Sequence, residues 1–229
     1  MSAAERHAAG PLTAPSMLDV LPEPGRDHVL RVARSRQFGR GEPLLRQGEE
    51  AASLFIVETG RLSVRLVGSA GESVILGVMG PGEVVGEMGV LVTRHERTAS
   101  VQAIDDAVVR VLRKEDFDRL RRQHPEVNDF LLQVLARRSD RLSRLLVEAY
   151  HLPVDQRLAR RLLEVGRLFV GERMPVVLPL TQDEVAQLAG TTRPTANQVL
   201  KRLEADRVVR LVRGRVELHD IAGLRKRCG

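Results

Sequence analysis

The sequence is poor in cysteine: the chain of 229 residues has one, Cys228, next to its C-terminal residue. A single thiol cannot form a disulfide within the chain, hold an iron–sulfur cluster or complete a zinc site made of four cysteines. The six histidines are scattered along the sequence and give little support to a bound metal or haem. We therefore expect a protein of the reducing cytoplasm with no metal, haem or iron–sulfur cofactor.

The sequence also lacks long apolar runs. No stretch reaches the ~20 apolar residues that a membrane-spanning helix requires, and residues 1–25 have no apolar segment of the kind that marks a secretion signal. Residues 1–18 contain few large apolar side chains, so we predict that they form a disordered tail. With 43% hydrophobic residues, the rest of the chain can bury the core of one large or two smaller domains.

Acidic residues do not balance the basic ones in the last third of the chain. Residues 154–229 hold 15 Lys and Arg against nine Asp and Glu, and this excess accounts for the whole net charge of +6. Such an asymmetry favours a polyanionic partner for the C-terminal part. A solvated, arginine-rich surface would give the same count, so the charge alone leaves both interpretations open.

Residues 27–114 have the pattern of β-strands. Apolar side chains alternate with polar or small ones, and glycines occur between the alternating segments. The alternation is clearest in residues 62–66, 74–78, 99–103 and 107–111. Many short strands at this spacing predict an antiparallel roll, barrel or sandwich.

Helical periodicity begins after residue 115. A short helix is predicted for residues 116–124 and a long one for residues 125–151, separated by Pro125. On the long helix a narrow seam steps by four and three residues, as in a coiled coil. The seam consists of Leu131, Leu135, Arg138, Leu142, Leu145 and Ala149. We interpret it as the interface of a parallel homodimer, with the stem of Arg138 reaching out of the seam; a helix docked by one stripe on its own sheet is the alternative.

Pro153 ends the long helix, and a helix of residues 154–169 and a loop of residues 171–175 follow. Residues 181–184 form a capping box that opens a further helix. Gly190 ends that helix, and Thr192 can cap the next one.

Two short alternating segments, residues 208–212 and 215–218, then flank a two-residue turn and predict a β-hairpin. Two helices joined by a tight turn and followed by a hairpin predict a winged helix-turn-helix that binds double-stranded DNA. A generic helical hairpin is the alternative.

The second helix of this motif is expected to lie in the major groove. Its first polar residues would read base edges, while the helix caps and the hairpin would contact phosphates. Arg193 matches the O6 and N7 acceptors of guanine, whereas Gln198 favours adenine. The predicted DNA-contacting residues are Thr181, Gln182, Thr192, Arg193, Thr195, Gln198, Lys201, Arg213 and Arg215.

The strongest local motif is Gly86-Glu87-Met88-Gly89-Val90-Leu91, followed by Glu96-Arg97-Thr98-Ala99. Glycine lets a backbone approach a ligand closely, and successive free N–H groups bind anions. An arginine ten residues after the glutamate supplies a fork that pairs with phosphate. A loop held by a Glu87–Arg97 ion pair is the alternative.

This motif resembles the phosphate-binding cassette of cyclic-nucleotide-binding domains. The cassette, the long helix and the winged helix-turn-helix, in that order, resemble the bacterial transcription regulators of the cyclic-AMP receptor protein and FNR family. The resemblance covers residues 27–225. It implies an α+β fold with a disordered tail (1–18), a ligand-binding antiparallel β-roll (19–124), a dimerisation helix (125–152) and a DNA-binding domain (153–229).

The resemblance also implies a ligand and its partners. Cyclic AMP (cAMP) is the expected allosteric ligand, with its ribose and phosphate near Gly86, Glu87, Met88, Gly89, Arg97 and Thr98. The two positions of the long helix that touch adenine in the family fall on Leu142 and Ser143, of which Ser143 alone keeps the hydroxyl. A palindromic DNA site is expected as partner, and the loop of residues 171–174 corresponds to a contact with RNA polymerase.

Three functions are consistent with parts of this pattern. The first is a homodimeric DNA-binding regulator gated by a cyclic nucleotide. The second is a regulator of the same fold that needs no ligand or uses another small molecule, as the apolar Leu142 suggests. The third is an enzyme with a sugar-phosphate pocket, which is disfavoured because no second acid–base residue lies near the cassette and no Gly-x-Ser-x-Gly motif is present.

Overall fold

The computed structural model describes residues 16–92, 96–169 and 174–229. Strands dominate the first half of this part of the chain. They are β1 (Arg34–Phe38), β2 (Pro43–Leu45), β3 (Ser53–Thr59), β4 (Leu62–Val67), β5 (Ser73–Met79), β6 (Val84–Val85), β7 (Ser100–Ala103) and β8 (Ala107–Arg113). One antiparallel sheet has the order β1-β8-β3-β6 and the other the order β2-β7-β4-β5, which confirms the predicted antiparallel roll.

The central strand β3 is buried on both of its faces. Successive side chains of a strand point to opposite faces, so Phe55 and Val57 join the core between the two sheets. Leu54 and Ile56 point the other way, into a second core formed with helices. This double burial gives β3 a continuous apolar run rather than an alternation.

Helices cover the outer face of the β3 sheet. They are α1 (Met17–Val20), α2 (Glu23–Val32), α3 (Glu87–Leu91), α4 (Lys114–Gln123) and α5 (Glu126–His151). Among the described residues, no helix is long and apolar enough to cross a membrane.

The prediction of a disordered tail is wrong for residues 16–18. Ser16 caps α1 with a complete capping box, and Met17 is fully buried in the core beneath the helices. Met17 thus anchors the start of the chain, because burying such a side chain stabilises by about 1.5–3 kcal/mol. Residues 1–15 of the predicted tail lie outside the described residues.

Two further predictions within the roll are corrected. Residues 23–32 form helix α2 rather than the beginning of the β-region. In β5 the alternating residues Val74, Leu76 and Val78 are exposed or half-buried, whereas Ile75 is buried. The reason is that Ile75 packs into the core of the C-terminal domain, which the strand pattern alone does not reveal.

The C-terminal domain follows a break at Leu152 and Pro153. It consists of α6 (Val154–Arg167), β9 (Val176–Leu178), α7 (Gln182–Ala189), α8 (Arg193–Ala205), β10 (Val209–Val212), β11 (Arg215–Leu218) and α9 (Ile221–Lys226). Its sheet has the order β10-β11-β9, so the predicted winged helix-turn-helix is confirmed. Residues 170–173, most of the predicted loop and RNA polymerase contact, lie outside the described residues.

Local sequence explains the two helices of the motif. The Thr181 hydroxyl accepts from the Glu184 N–H, and the Glu184 carboxylate accepts from the Thr181 N–H, which completes the predicted capping box. Gly190 ends α7 in the left-handed region, at φ 60°. Thr192 caps α8, whose first turn tolerates Pro194.

The seam predicted on α5 does not lie entirely on an exposed face of the helix. Leu131 is 3% exposed and packs in the core of its own roll, and the Arg138 guanidinium donates to Glu87 and to the carbonyl of Val84. Leu131 is therefore wrong as an interface residue, while the Arg138 side chain is bound within its own chain. Leu145 of the predicted seam is half-buried, whereas its neighbour Leu146 is 58% exposed.

Three other residues of α5 lie on an exposed face of the helix. Leu132, Ser139 and Leu146 are seven residues apart and are all exposed. The predicted positions Leu135, Leu142 and Ala149 alternate with them at steps of three and four, which restores a coiled-coil spacing. We call these six residues the exposed stripe; Tyr150, 78% exposed, lies at its end.

Candidate functional site

A cavity of about 490 Å³ lies between the roll and α5. Its walls are mostly apolar, and Glu87, Arg97, Arg138 and Arg141 bring charge to them. The predicted residues that line it are Gly86, Glu87, Met88, Gly89, Arg97, Thr98, Leu135, Arg138 and Leu142.

The backbone of the cassette approaches its surroundings closely at two glycines. Gly86 has φ 82°, and a Cβ atom there would lie 2.8 Å from Arg97 Nη1. At Gly89 a Cβ atom would lie 2.4 Å from the Cβ of Ala51. Any side chain at either position would therefore displace α3 or Arg97, so the glycines of the motif shape the cavity.

Glu87 presents an acceptor without a partner. Its residue is 2% exposed, and one carboxylate oxygen, Oε1, accepts from Arg138 Nη1. The other oxygen, Oε2, is buried and has no hydrogen-bond partner among the described residues. Buried polar atoms are nearly always bonded, so this oxygen marks a place where a ligand donor such as a sugar hydroxyl fits.

Arg97 lies beside this acceptor and is 6% exposed. Its Nη1 donates to the carbonyl oxygens of Ser53 at 2.6 Å and Gly86 at 3.2 Å, and its Nη2 donates to the Ser53 hydroxyl at 3.2 Å. Burial lowers the pKa of the Arg97 guanidinium, while Glu49 and Glu87 act to raise it. The group remains a cation, which suits an anionic ligand. The Glu87 carboxylate pairs with Arg138 rather than with Arg97, which disfavours the alternative of a Glu87–Arg97 ion pair.

The structure places one predicted residue of α5 outside the cavity. Ser143 is exposed and outside this cavity, and its hydroxyl donates to the Ser139 carbonyl at 3.0 Å. Ser139 and Arg141 line the cavity instead. The spacing of Ser139 from Leu135 and Leu142, and of Arg141 from Arg138, was the available signal, since residues three and four apart share a helix face.

A second surface lies at the winged helix-turn-helix. A groove of about 500 Å³ runs between the N-termini of α7 and α8 and the β10–β11 hairpin. Four predicted DNA-contacting residues line it: Thr181, Gln182, Arg193 and Arg213. Helix N-termini and arginines bind phosphate oxygens, so the groove fits a nucleic-acid backbone.

The other predicted DNA-contacting residues lie around the groove. Gln198 and Lys201 are exposed on α8. The hydroxyls of Thr192 and Thr195 are 2.9 Å apart, which leaves Thr195 less free to bind a base. The Arg215 guanidinium is 3.0 Å from Glu217.

Metal chemistry finds no support in the described parts of the chain. Nowhere in residues 16–92, 96–169 and 174–229 do three or more His, Cys, Asp or Glu side chains meet in a group that could hold an ion. His95, the histidine nearest the cassette, lies outside the described residues.

A nucleotide-binding roll joined to a winged helix-turn-helix defines a class of transcription regulator. Residues 35–124 match the family model of the cyclic nucleotide-binding domain, and residues 156–227 match that of the Crp-like helix-turn-helix domain. The chain is 33% identical to the cyclic AMP receptor protein of Thermus thermophilus over 196 residues, 86% of this chain and 88% of the relative.

One further relative supports this assignment, and a solved structure has the same fold. The CRP-like cAMP-activated global transcriptional regulator of Mycobacterium tuberculosis is 33% identical over 169 residues, 71% of this chain and 74% of the relative. The fold is also that of the c-di-GMP responsive global regulator CLP of Xanthomonas campestris, with a TM-score of 0.75 at 22% identity over 86% of this chain and 99% of that structure. The chain belongs to the cyclic-AMP receptor protein and FNR family, and it is a transcription regulator rather than an enzyme.

Proposed function

We propose that the protein is a homodimer whose affinity for a palindromic DNA site is controlled by cAMP bound between the roll and α5. The observation that carries the proposal is the unpartnered, buried Oε2 of Glu87 beside the buried cation of Arg97. A ribose hydroxyl supplies the hydrogen-bond donor that Glu87 Oε2 lacks. A cyclic phosphate supplies a negative charge to pair with Arg97. The relatives named as cAMP receptors support cAMP as the nucleotide.

Different residues of the cavity contact different parts of the nucleotide. Glu87 accepts from the ribose 2′-hydroxyl, while Arg138 holds its other oxygen in place. Arg97 exchanges bonds to neutral carbonyl oxygens for bonds to an anionic phosphate, in which donor and acceptor are both charged and the guanidinium fork can bind two oxygens. Thr98, exposed at the cavity wall, adds a hydroxyl, and Leu142 packs against the base.

The exposed stripe of α5 supports the homodimer. A row of exposed leucines on one helix is unfavourable in water and is buried when two copies pair. Two copies related by a two-fold axis would place their DNA-reading helices on the two halves of a palindrome. A DNA-binding regulator acts on the chromosome, so the proposed compartment is the cytoplasm, and RNA polymerase is a further proposed partner.

A selection from random DNA followed by anisotropy titration tests this function. The purified protein is first used to select a duplex, and its affinity for that duplex is then measured with and without cAMP. We expect a palindromic site and an increase in affinity of at least tenfold at saturating cAMP. High affinity without any change on adding cAMP would favour the second candidate, a regulator that needs no ligand or another one, for which the apolar Leu142 is the specific observation.

We expect contacts to bases and contacts to phosphates to be separable by mutation. Arg193→Ala should cost about 1–3 kcal/mol and relax the preference at one position per half-site, because the first turn of a recognition helix faces base edges. Arg213→Ala should weaken binding to all sequences alike and reduce the slope of affinity against salt by about one unit.

Selection on random DNA with each variant measures the difference. If Arg193→Ala returns the parent site, base reading by Arg193 is refuted. Gln198 then becomes the leading candidate, since the Thr195 hydroxyl is paired with Thr192. Arg225→Ala, on the exposed side of α9, is the matched control and should leave both site and salt slope unchanged.

A further inference from the structure

Two arginines of α5 separate the nucleotide cavity from a second cavity. The second one, of about 260 Å³, lies between the β5–β6 turn, α5 and α6. The two cavities share Met79, Arg138 and Arg141 as walls. A ligand in the first cavity therefore touches the side chains that face the first helix of the DNA-binding domain.

The two arginines have different partners. Arg138 is bound to the roll, through Glu87 and the Val84 carbonyl. Arg141 instead reaches the DNA-binding domain: its Nε and Nη2 lie 2.7 Å and 2.6 Å from Glu164 Oε1 on α6. Its Nη1 donates to the Leu76 carbonyl of β5. Arg141 is thus a direct link between the cavity wall and α6.

Glu164 belongs to a network that continues across the Leu152–Pro153 break. Its Oε2 accepts from Arg161 Nη1 at 2.6 Å, and Arg161 also donates to Glu148 of α5. The side chains of Arg161 and Glu148 are 8% and 15% exposed. A charge buried to this extent requires its partner, so the network favours one placement of α6 against α5.

In that placement the roll also contacts one edge of the groove proposed to bind DNA. Arg40 of the β1–β2 turn donates to the carbonyl oxygens of Gly214 and Pro179, and Gly214 lines the groove. On the neighbouring face Arg65 lies 2.6 Å from Glu184 of α7. The β10–β11 hairpin and α7 are therefore bound to the roll, while Arg141 binds α6.

We propose that Arg141 is a positioning residue that holds the DNA-binding domain against the roll through Glu164 and releases it when cAMP is bound. This inference rests on the proposed function. The nucleotide brings hydrogen-bond acceptors into the cavity that Arg141 lines, and these compete with Glu164 for its N–H groups. A ligand shifts an equilibrium between two arrangements if it binds them differently, and the exchange of partners by Arg141 supplies that difference.

The test uses Glu164→Gln and Arg141→Gln, read out by anisotropy on the selected duplex. Both variants are expected to raise DNA affinity without cAMP at least tenfold and to reduce the stimulation by cAMP in proportion. Glu164 is outside the lining of the nucleotide cavity, yet Glu164→Gln should tighten cAMP binding in calorimetry, because it removes the competitor for Arg141. A residue that merely stabilised the fold would not have this effect.

Two controls make the result specific. Arg141→Lys keeps the charge but only part of the contact with Glu164, so it should lie between the parent and Arg141→Gln. Arg144→Gln removes an exposed arginine of the same helix that pairs with Asp140, and it should behave like the parent. The inference is overturned if Glu164→Gln and Arg141→Gln keep the parent's stimulation, or if they lose DNA binding equally with and without cAMP. A parent protein that shows no response to cAMP would instead contradict the proposed function.

Discussion

Arg97→Leu is expected to weaken cAMP binding by about 2–5 kcal/mol, which is ~30-fold or more. The guanidinium is almost fully buried at the cavity wall, where little water competes with a phosphate for its N–H groups. Leucine fills a similar volume but offers neither charge nor donors. Isothermal titration calorimetry with cAMP measures the loss directly.

The Arg97 variant needs controls because this side chain also supports the cassette. It donates to the carbonyls of Ser53 and Gly86, so its loss could loosen the start of α3. Arg97→Lys keeps the charge and should lose less affinity, while Arg46→Leu, at a surface pair with Glu49, should lose none. Urea unfolding reports whether the variant is folded; a folded Arg97→Leu protein with the parent's affinity would contradict the phosphate assignment.

Leu132→Glu combined with Leu146→Glu is expected to convert the proposed dimer into monomers that no longer bind the palindromic duplex. The two positions lie on the exposed stripe, and each substitution places like charges opposite each other across the two-fold axis. Because both side chains are more than half exposed in the single chain, the fold of the protomer should survive. Multi-angle light scattering measures the mass.

A matched substitution beside the stripe completes this experiment. Gln133→Glu adds the same charge at an exposed neighbouring position and should leave the dimer intact. A stable dimer of the Leu132→Glu, Leu146→Glu protein would exclude α5 as the main interface. Leu131→Glu is not a suitable probe, because Leu131 is buried in the core of its own protomer and its replacement would unfold the roll.

Features with a local cause could be predicted from the sequence. The capping box at residues 181–184, the left-handed Gly190 and the hairpin around Gly214 depend on side chains a few residues apart, and all are present in the structure. The order of cassette, long helix and winged helix-turn-helix was sufficient for the family and the fold class, which the comparisons confirm.

Features that depend on distant contacts were predicted less well. Leu131 and Leu132 are both leucines, so periodicity could not show which one faces the roll and which faces outward. A charged residue in an apolar seam needs a partner, so Arg138 indicated that the predicted seam was not entirely apolar. Its partner Glu87 is 51 residues away in the sequence and could not be identified from the pattern. Likewise Ile75 is buried by a domain that lies far along the chain.

The assignment of individual residues to ligand, DNA and dimer contacts remains a prediction. Gly86, Glu87 and Arg97 are brought together around one cavity, and Thr181, Arg193 and Arg213 around one groove. The role of Ser143 was transferred from the family by position, and in this chain its hydroxyl bonds to its own helix. Position alone cannot show where a side chain turns, because that depends on its neighbours.

The central claim is that the cavity and the DNA surface are coupled, and calorimetry of cAMP with and without DNA tests it most directly. Coupling is reciprocal: if cAMP raises DNA affinity by some factor, DNA must raise cAMP affinity by the same factor. We predict that cAMP binds to the protein–DNA complex at least tenfold more tightly than to the protein alone, matching the factor from anisotropy. Equal cAMP affinity for the free and the DNA-bound protein, or no cAMP binding by either, would contradict the account.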